Sequence, residues 1–304
     1  MVWVNSVTAS ALRLKAIVIM QPFAAIKISS GVMSNWCTEA PTFWNDLRRG
    51  VIVEARVISA LMLREIHTIN GNSRLGYLWV LIQSAFGIGV FWGVRHFMGA
   101  GQAPHGMGMA MFLAIGFGIW NIFTNTISRC MTAVSGNKGL LTFPQVTELD
   151  VMIARTLVTT ATQVLVTALI ICAGTLVLGE PFMLGSLPLL LTMVVLVPLL
   201  SLGFGMVLSS LAVFVPAIEK VVPMVLRILF FVSGVFFSIS VFSQSVADYL
   251  LWNPVLHAVE LCREALHAPY AVSGVSLTYL GLTTLTVCAL GGFLERYVRS
   301  RRIN

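Results

Sequence analysis

The chain has 304 residues, of which 57% are apolar and only 10% charged, and it carries a net charge of +7. A soluble domain carries about 25% charged residues, so an ordinary water-soluble globule is excluded. The cations flank long apolar runs, so attraction to anionic lipid headgroups explains them better than nucleic acid does.

Residues 1–32 hold Arg13, Lys15 and Lys27 around a short apolar run, 16–26. The run looks like a signal-peptide core without a convincing cleavage site, and it is too short to span a bilayer. A genuine extension over 1–41 and a true start at Met33 both remain open, and no function is assigned to this part. Residues 42–69 read as a helix, with Thr42 as its cap and Asp46 in its first turn. Leu47, Val51, Ala55, Ile58, Met62 and Ile66 form an apolar stripe, while Arg48, Arg49, Arg56 and Glu65 lie off it. Such a helix is too charged to cross, so the segment 42–71 is expected to lie along the inner membrane surface. Anchoring to the membrane is a simpler role for it than a platform for a cytoplasmic partner.

The polar turn 70–74 leads into a membrane domain, 72–304. Its runs without Asp, Glu, Lys or Arg are long enough for helices of about 20 residues. Six spans are expected, near 75–97, 107–128, 154–178, 186–212, 224–244 and 273–294. With both termini cytoplasmic, all of the 19 Lys and Arg fall inside except Arg95 and Arg263. The inverse topology puts nearly every cation on the wrong side. The loop 129–155 is then the longest inner loop, a turn followed by a short helix-capable piece carrying Glu148 and Asp150.

The outer segment 249–270, YLLWNPVLHAVELCREALHAPY, is charged and helical. Asn253 suits a cap and Pro254 the first helical position. His257, Glu260, Arg263, Glu264 and His267 share one face, with apolar residues covering most of the other. At 1.5 Å per residue this helix reaches only ~20 Å, so it lies at the interface or dips in and returns. A metal site on His257, Glu260, Glu264 and His267 is the rival reading; a polar face of an outward amphipathic helix is preferred.

No phosphate-loop motif occurs, so nucleotide hydrolysis by that route is excluded, and no HExxH or GxSxG stands out. The expected span centres carry no ionisable group, which argues against self-powered secondary transport. Trp79, Phe91, Trp92, Phe117, Trp120, Phe123, Tyr249 and Trp252 are able to stack on sugar rings, although an interfacial belt is the plainer role. The five cysteines are scattered, with no CxxC pair, and no disulfide or metal cluster is expected.

LREI (63–66) followed by RLGYLW (74–79) resembles the start of polysaccharide-export permeases of the ABC-2 type. GNKGLLTFPQV (136–146) followed by DVMIAR (150–155) resembles their cytoplasmic coupling segment. YLLWNPVLHAVELCREAL with GVSLTYL (274–280) resembles the outer segment of capsular polysaccharide export permeases of Gram-negative bacteria. The resemblance covers roughly 45–300, in order. It departs at Gln83 and Ser84, where a Glu-Pro is common in the family, removing a carboxylate and a kink. It also departs at Thr142 and Phe143, where a tyrosine or arginine often stands.

The resemblance implies an all-α ABC-2 exporter fold: six membrane helices, an N-terminal interface helix and a re-entrant helical segment before the last span. It implies a multi-pass permease of the bacterial inner membrane, acting as a homodimer with two copies of a separate ATP-binding subunit. That subunit would bind ATP and Mg, and this chain no cofactor. The substrate would be a lipid-linked polysaccharide crossing between spans one and five of the two protomers. It would then pass to a periplasmic adaptor and an outer-membrane channel. Coupling to the ATPase would fall to Arg64, Glu65, Asn137, Lys138, Phe143, Pro144, Glu148 and Asp150. Translocation and the exit gate would fall to Trp79, Trp92, Trp120, Trp252, Asn253, Pro254, His257, Glu260, Arg263 and Glu264. Rival readings are an exporter of O-antigen, teichoic acid or another lipid, and a membrane assembly protein with no passage. A membrane-embedded transferase would need paired acids or a metal site, and neither is found.

Overall fold

Backbone groups in hydrocarbon must satisfy one another, so an uncharged run of membrane length becomes a helix. The computed structural model describes residues 36–70, 76–97, 99, 103–133, 146–180 and 182–303. Among them it is all helical, without a strand. The helices are α1 (Trp36–Asn70), α2 (Gly76–Phe97), α3 (Met109–Met131), α4 (Glu148–Leu178), α5 (Leu187–Phe214), α6 (Ile218–Val232), α7 (Gln244–Leu250), α8 (Pro254–Leu266) and α9 (Leu277–Ile303). Short 3-10 turns stand at Pro104–Gly106 and Ile239–Val241. Two compact units divide the chain, Met1–Ala55 and Arg56–Asn304. The first contributes only the opening part of α1 to the described residues, with Leu47 and Val51 of the expected stripe exposed.

Among the described residues, four helices are long and apolar enough to cross a membrane: Met109–Met131, Glu148–Leu178, Leu187–Phe214 and Leu277–Arg301. A shorter apolar stretch, Trp79–Arg95, lies in α2. Three expectations need correction. Helix α1 is already formed at Trp36, so Thr42 sits inside it and does not cap it. The piece carrying Glu148 and Asp150 is not a separate loop helix but the first turn of α4, closed by a capping box. There Thr147 Oγ1 accepts from the Asp150 N–H, and the Asp150 carboxylate accepts from the Thr147 N–H. The expected fifth span, 224–244, is not one helix. Helix α6 has 15 residues and ends at Val232, a length of ~22 Å at 1.5 Å per residue. The chain then turns through Gly234, whose φ of 72° is left-handed, a conformation that favours glycine.

Helix α3 is the hub of the second unit. Met109 to Ile115 are buried on every side, against α4, α5 and α8. Its start is held by Glu180, which follows the left-handed C-cap Gly179 of α4. The Glu180 carboxylate accepts from the Ala110 N–H at 2.9 Å and the Met111 N–H at 3.2 Å. These are orphan donors of a helix N-terminus, and an anion complements its dipole. A Cβ at position 108 would collide with this carboxylate, so Gly108 is required there. Leu165 on α4, Leu191 and Val195 on α5, Ile228 on α6 and Leu285 on α9 are exposed. In a chain this apolar, these surfaces meet lipid.

Candidate functional site

The break after α6 leaves backbone carbonyls without helical donors. In hydrocarbon each such group costs several kcal/mol unless another donor reaches it. Two arginines supply the donors. Arg263 Nη2 donates to the Val235 carbonyl at 2.9 Å, Arg95 Nη1 to Phe236 at 2.8 Å, and Arg263 Nη1 to Phe237 at 3.2 Å. Three consecutive carbonyls are thus served by the two cations that the charge asymmetry left outside. Arg263 Nη2 also reaches the Phe112 carbonyl at 3.3 Å, and the guanidinium carbon lies 3.5 Å from the Phe112 ring centre. Gly116 makes this approach possible: a Cβ there would come within 3.0 Å of Arg263 Nη2 and 2.9 Å of the Val235 oxygen.

Asn253 and Pro254 start α8 as expected, with Asn253 Oδ1 accepting from the Val255 N–H at 3.0 Å. The polar face of α8, however, is not turned to water. Arg263 is 0% exposed, Glu260 1%, His257 2% and His267 2%. Amphipathicity is conserved in the helix but inverted in its use. Glu260 balances Arg263 at 3.5 Å and gathers donors from three further places. These are the Ile239 N–H at 3.1 Å, the Ser238 hydroxyl at 3.4 Å and the Tyr270 hydroxyl at 2.5 Å. The pair therefore ties α8 to the segment after α6, to α3 and to Tyr270 in the turn that follows α8. His257 Nε2 lies 2.9 Å from the Leu251 carbonyl, and its Nδ1 accepts from the Ser276 N–H at 3.0 Å. Those contacts select the neutral tautomer with the proton on Nε2. Burial holds the His257 pKa below its usual 6.5, outweighing the Leu251 contact and the nearby Glu260 charge. Hence Glu260 and His257 face different partners, and no described group of three His, Cys, Asp or Glu is placed around one metal position.

The far end of α8 is stitched to the loop before α5 through backbone alone. The Gly185 and Ser186 N–H groups donate to the Ala265 carbonyl at 3.1 and 3.0 Å, and the Ala268 N–H to Met183 at 2.8 Å. A Cβ at position 185 would strike the Glu264 carbonyl, which is why glycine stands there. Glu264 itself is half-buried.

At the opposite end of α3, Glu65 of α1 lies 3.3 Å from Arg129 and 3.4 Å from Arg155. Arg155 Nη1 also donates to the Arg129 carbonyl at 2.7 Å. Ile58, Leu61 and Met62 pack with Cys130, Val151, Met152 and Met206 beneath this triad. These parts of α1, α3, α4 and α5 thereby form one cluster, with the carboxylate of α1 shared by two cations.

Between α3 and α6 lies a cavity of about 530 Å³, lined by Phe117, Trp120, Asn121, Thr124, Ser128, Arg227, Phe230 and Phe231 among others. Phe117 and Phe230 rings meet edge to face at 5.6 Å, and Trp120 and Phe230 lie tilted at 5.4 Å. Aromatic faces next to amide and hydroxyl groups form a surface that holds rings while hydrogen-bonding their substituents.

The ABC-2 type transporter family model matches residues 56–267. The chain belongs to the ABC-2 type transporter family. The polysialic acid transport protein KpsM of Escherichia coli is 34% identical over 82% of this chain and 96% of its own length. The capsule polysaccharide export inner-membrane protein CtrC of Neisseria meningitidis serogroup B is 24% identical over 82% of this chain and 92% of its own length. BexB of Haemophilus influenzae, described in the same words, is 23% identical over 80% and 91%.

The expected kinship with capsule export permeases therefore holds, and so does the reading of a membrane transport permease without its own motor. As an ABC-2 transporter the chain works within an ABC transporter system, whose ATPase is a separate partner. Within this permease the residues expected at the gate separate into two sets. Asn253, Pro254, His257, Glu260 and Arg263 meet in the node around α8. Trp120 is buried beside the α3–α6 cavity, Trp92 packs on the core, and Trp79 and Trp252 are exposed. Of the expected coupling residues, Glu65 joins the inner triad, Arg64 is exposed and Asp150 is engaged in its capping box. Glu148 occupies the first turn of α4. Asn137, Lys138, Phe143 and Pro144 lie outside the described residues. Sequence reasoning missed the part played by Arg95 and Glu180, and it missed Asn121 and Thr124. The last two carry a readable signal, part of a run of neutral polar residues that continues through Asn125, Thr126 and Ser128 on an expected span.

Proposed function

We propose that this permease moves a lipid-linked capsular polysaccharide from cytoplasm to periplasm in the bacterial inner membrane. The observation that carries the reading is the 34% identity to a polysialic acid transport protein over 96% of that protein's length. The six crossings are α2, α3, α4, α5, α6 with the segment that follows it, and α9, with both termini cytoplasmic. Two copies pair, and two copies of the ATP-binding subunit hold ATP and Mg against their inner faces. Glu65, Arg64, Glu148 and the loop around Asn137, Lys138, Phe143 and Pro144 pass the spacing change of that subunit to the spans.

The glycan slides along the aromatic cavity of α3 and α6, where Trp120 and Phe230 offer stacking that tolerates a repeating chain. It leaves past α7 and α8 toward a periplasmic adaptor and an outer-membrane channel. The fully buried Glu260–Arg263 node supports a gate that moves as a packed body, since neither charge is free to face water. Deleting the gene should leave lipid-linked polysaccharide in the cytoplasm and bare cells. Normal surface polysaccharide in the deletion strain would refute the reading.

A further inference from the structure

A second cavity of about 450 Å³ adjoins the first and is bounded by α2, α3 and α4. It falls within the ~300–1,000 Å³ of ordinary small-ligand sites. Its lining is unusual for a membrane interior. Three helices each turn a polar stripe into it: Gln83 and Ser84 from α2, Asn121 and Asn125 from α3, Thr159 and Gln163 from α4. Asn121 and Asn125, like Thr159 and Gln163, are four residues apart and share a face of their helix, while Gln83 and Ser84 line the cavity from adjacent positions of α2. Asn121 is ten residues from the end of α3 at Met131, or ~15 Å along the axis, so the stripe reaches the middle of the span.

Among the described residues, the amides of Gln83, Asn121, Asn125 and Gln163 form no hydrogen bond, and neither does the buried Thr159 hydroxyl. Four amides carry up to eight donors and as many acceptor lone pairs. At membrane depth such groups pair with one another or with backbone carbonyls, or they face water or a polar ligand. The cavity carries no charge of its own beyond Arg129 at its mouth, which is paired with Glu65. A phosphate or other anion therefore finds no dedicated cation here. What matches mixed neutral donors and acceptors is a molecule whose own groups both donate and accept. Phe86 and Phe117 add faces for an apolar ring surface.

We propose that this intraprotomer cavity binds sugar rings of the exported glycan, as a polyol site separate from the α3–α6 path. The proposal rests on the export function above and deepens it. Asn121 and Phe117 line both cavities, so they connect the site to the path. Gln163 and Asn125 belong to this cavity alone.

The test uses the full-length chain in its native host, with its ATPase partner, fed a tritiated sugar that labels the lipid-linked polysaccharide. A photoreactive benzoylphenylalanine is placed at Thr162, in the cavity, or at Leu165, which is exposed on the outer face of α4. The Thr162 probe should capture labelled glycan at least fivefold more than the Leu165 probe. Gln163→Leu and Asn125→Leu should cut both that capture and surface polysaccharide at least fivefold. Leucine suits a membrane helix, so both variants should insert and accumulate normally. Three results overturn the site: capture of phospholipid only, capture of a second copy of the chain only, or full export by both leucine variants. If deletion still blocks export in those cases, the export function stands and the cavity alone is rejected.

Discussion

Replacing Arg263 by methionine removes the guanidinium while filling most of its volume. The change strands the Glu260 carboxylate, 1% exposed, and takes the donor from the carbonyls of Val235, Phe237 and Phe112. Breaking one side of a buried ion pair costs about 3–5 kcal/mol, and carbonyls left without donors add to this. At ~2–4 °C per kcal/mol for a chain of this size, the melting temperature should fall by roughly 6–20 °C. Detergent-solubilised protein heated in steps and run on a fluorescence-detected sizing column gives that number. Surface polysaccharide on intact cells gives the functional loss, and membrane insertion should be unchanged. Glu260→Gln should cost less, because the amide retains hydrogen bonds without a buried charge. The double variant should fall short of the sum by about 1 kcal/mol or more. The charge swap Glu260→Arg with Arg263→Glu should stay defective, since each charge also serves backbone groups of fixed polarity. Recovery of the parent melting temperature by the swap, or an R263M protein that melts within ~2 °C of the parent and exports, would refute the reasoning.

Gly185→Ala should open the stitch between the α5 entry and α8, because the new methyl meets the Glu264 carbonyl. A loss of about 1–3 kcal/mol is expected from such overpacking, read as faster proteolysis of the outer face in spheroplasts; unchanged digestion would count against the stitch. Glu65→Gln leaves Arg129 and Arg155 facing each other without their shared anion. Export should drop several-fold while the partner ATPase keeps hydrolysing, and an equal loss of both activities would argue for simple misfolding. Burial holds His257 below its usual 6.5. The stability it contributes is therefore complete above about pH 6.5 and is lost as the pH falls through the lower folded value. Between pH 7.5 and 5 the parent should lose more thermal stability than His257→Gln; parallel slopes would remove His257 from the account.

The helical class and the four long apolar helices were legible, because a run such as 156–179 without a charge has few other ways to bury its backbone. The fifth span was not. Residues 228–247 are uncharged, and hydropathy cannot see that Gly234 turns left-handed or that donors arrive from Arg263, 28 residues beyond Val235. Periodicity grouped His257, Glu260, Arg263, Glu264 and His267 on one face, but α8 ends at Leu266 and His267 follows it as an extended C-cap. Periodicity says which residues share a side and nothing about what that side meets, so the assumption of water was wrong. Looking only for ionisable groups in the spans also hid Asn121, Asn125, Thr159 and Gln163. Their spacing carried the signal, but their meaning depended on three helices turning those stripes toward one another.

The dependence of the segment after α6 on Arg263 sets an order of events during synthesis. When Val235, Phe236 and Phe237 leave the ribosome, the guanidinium that serves two of them has not been made. Translation at about 5–20 residues per second delays it by roughly 1–6 s over the 28 residues between Val235 and Arg263. During that interval the nascent chain must keep these carbonyls hydrated, so the turn after α6 closes only after α8 has emerged. Insertion of the earlier helices and completion of the node around α8 are therefore separate acts, and the second waits on a single late residue.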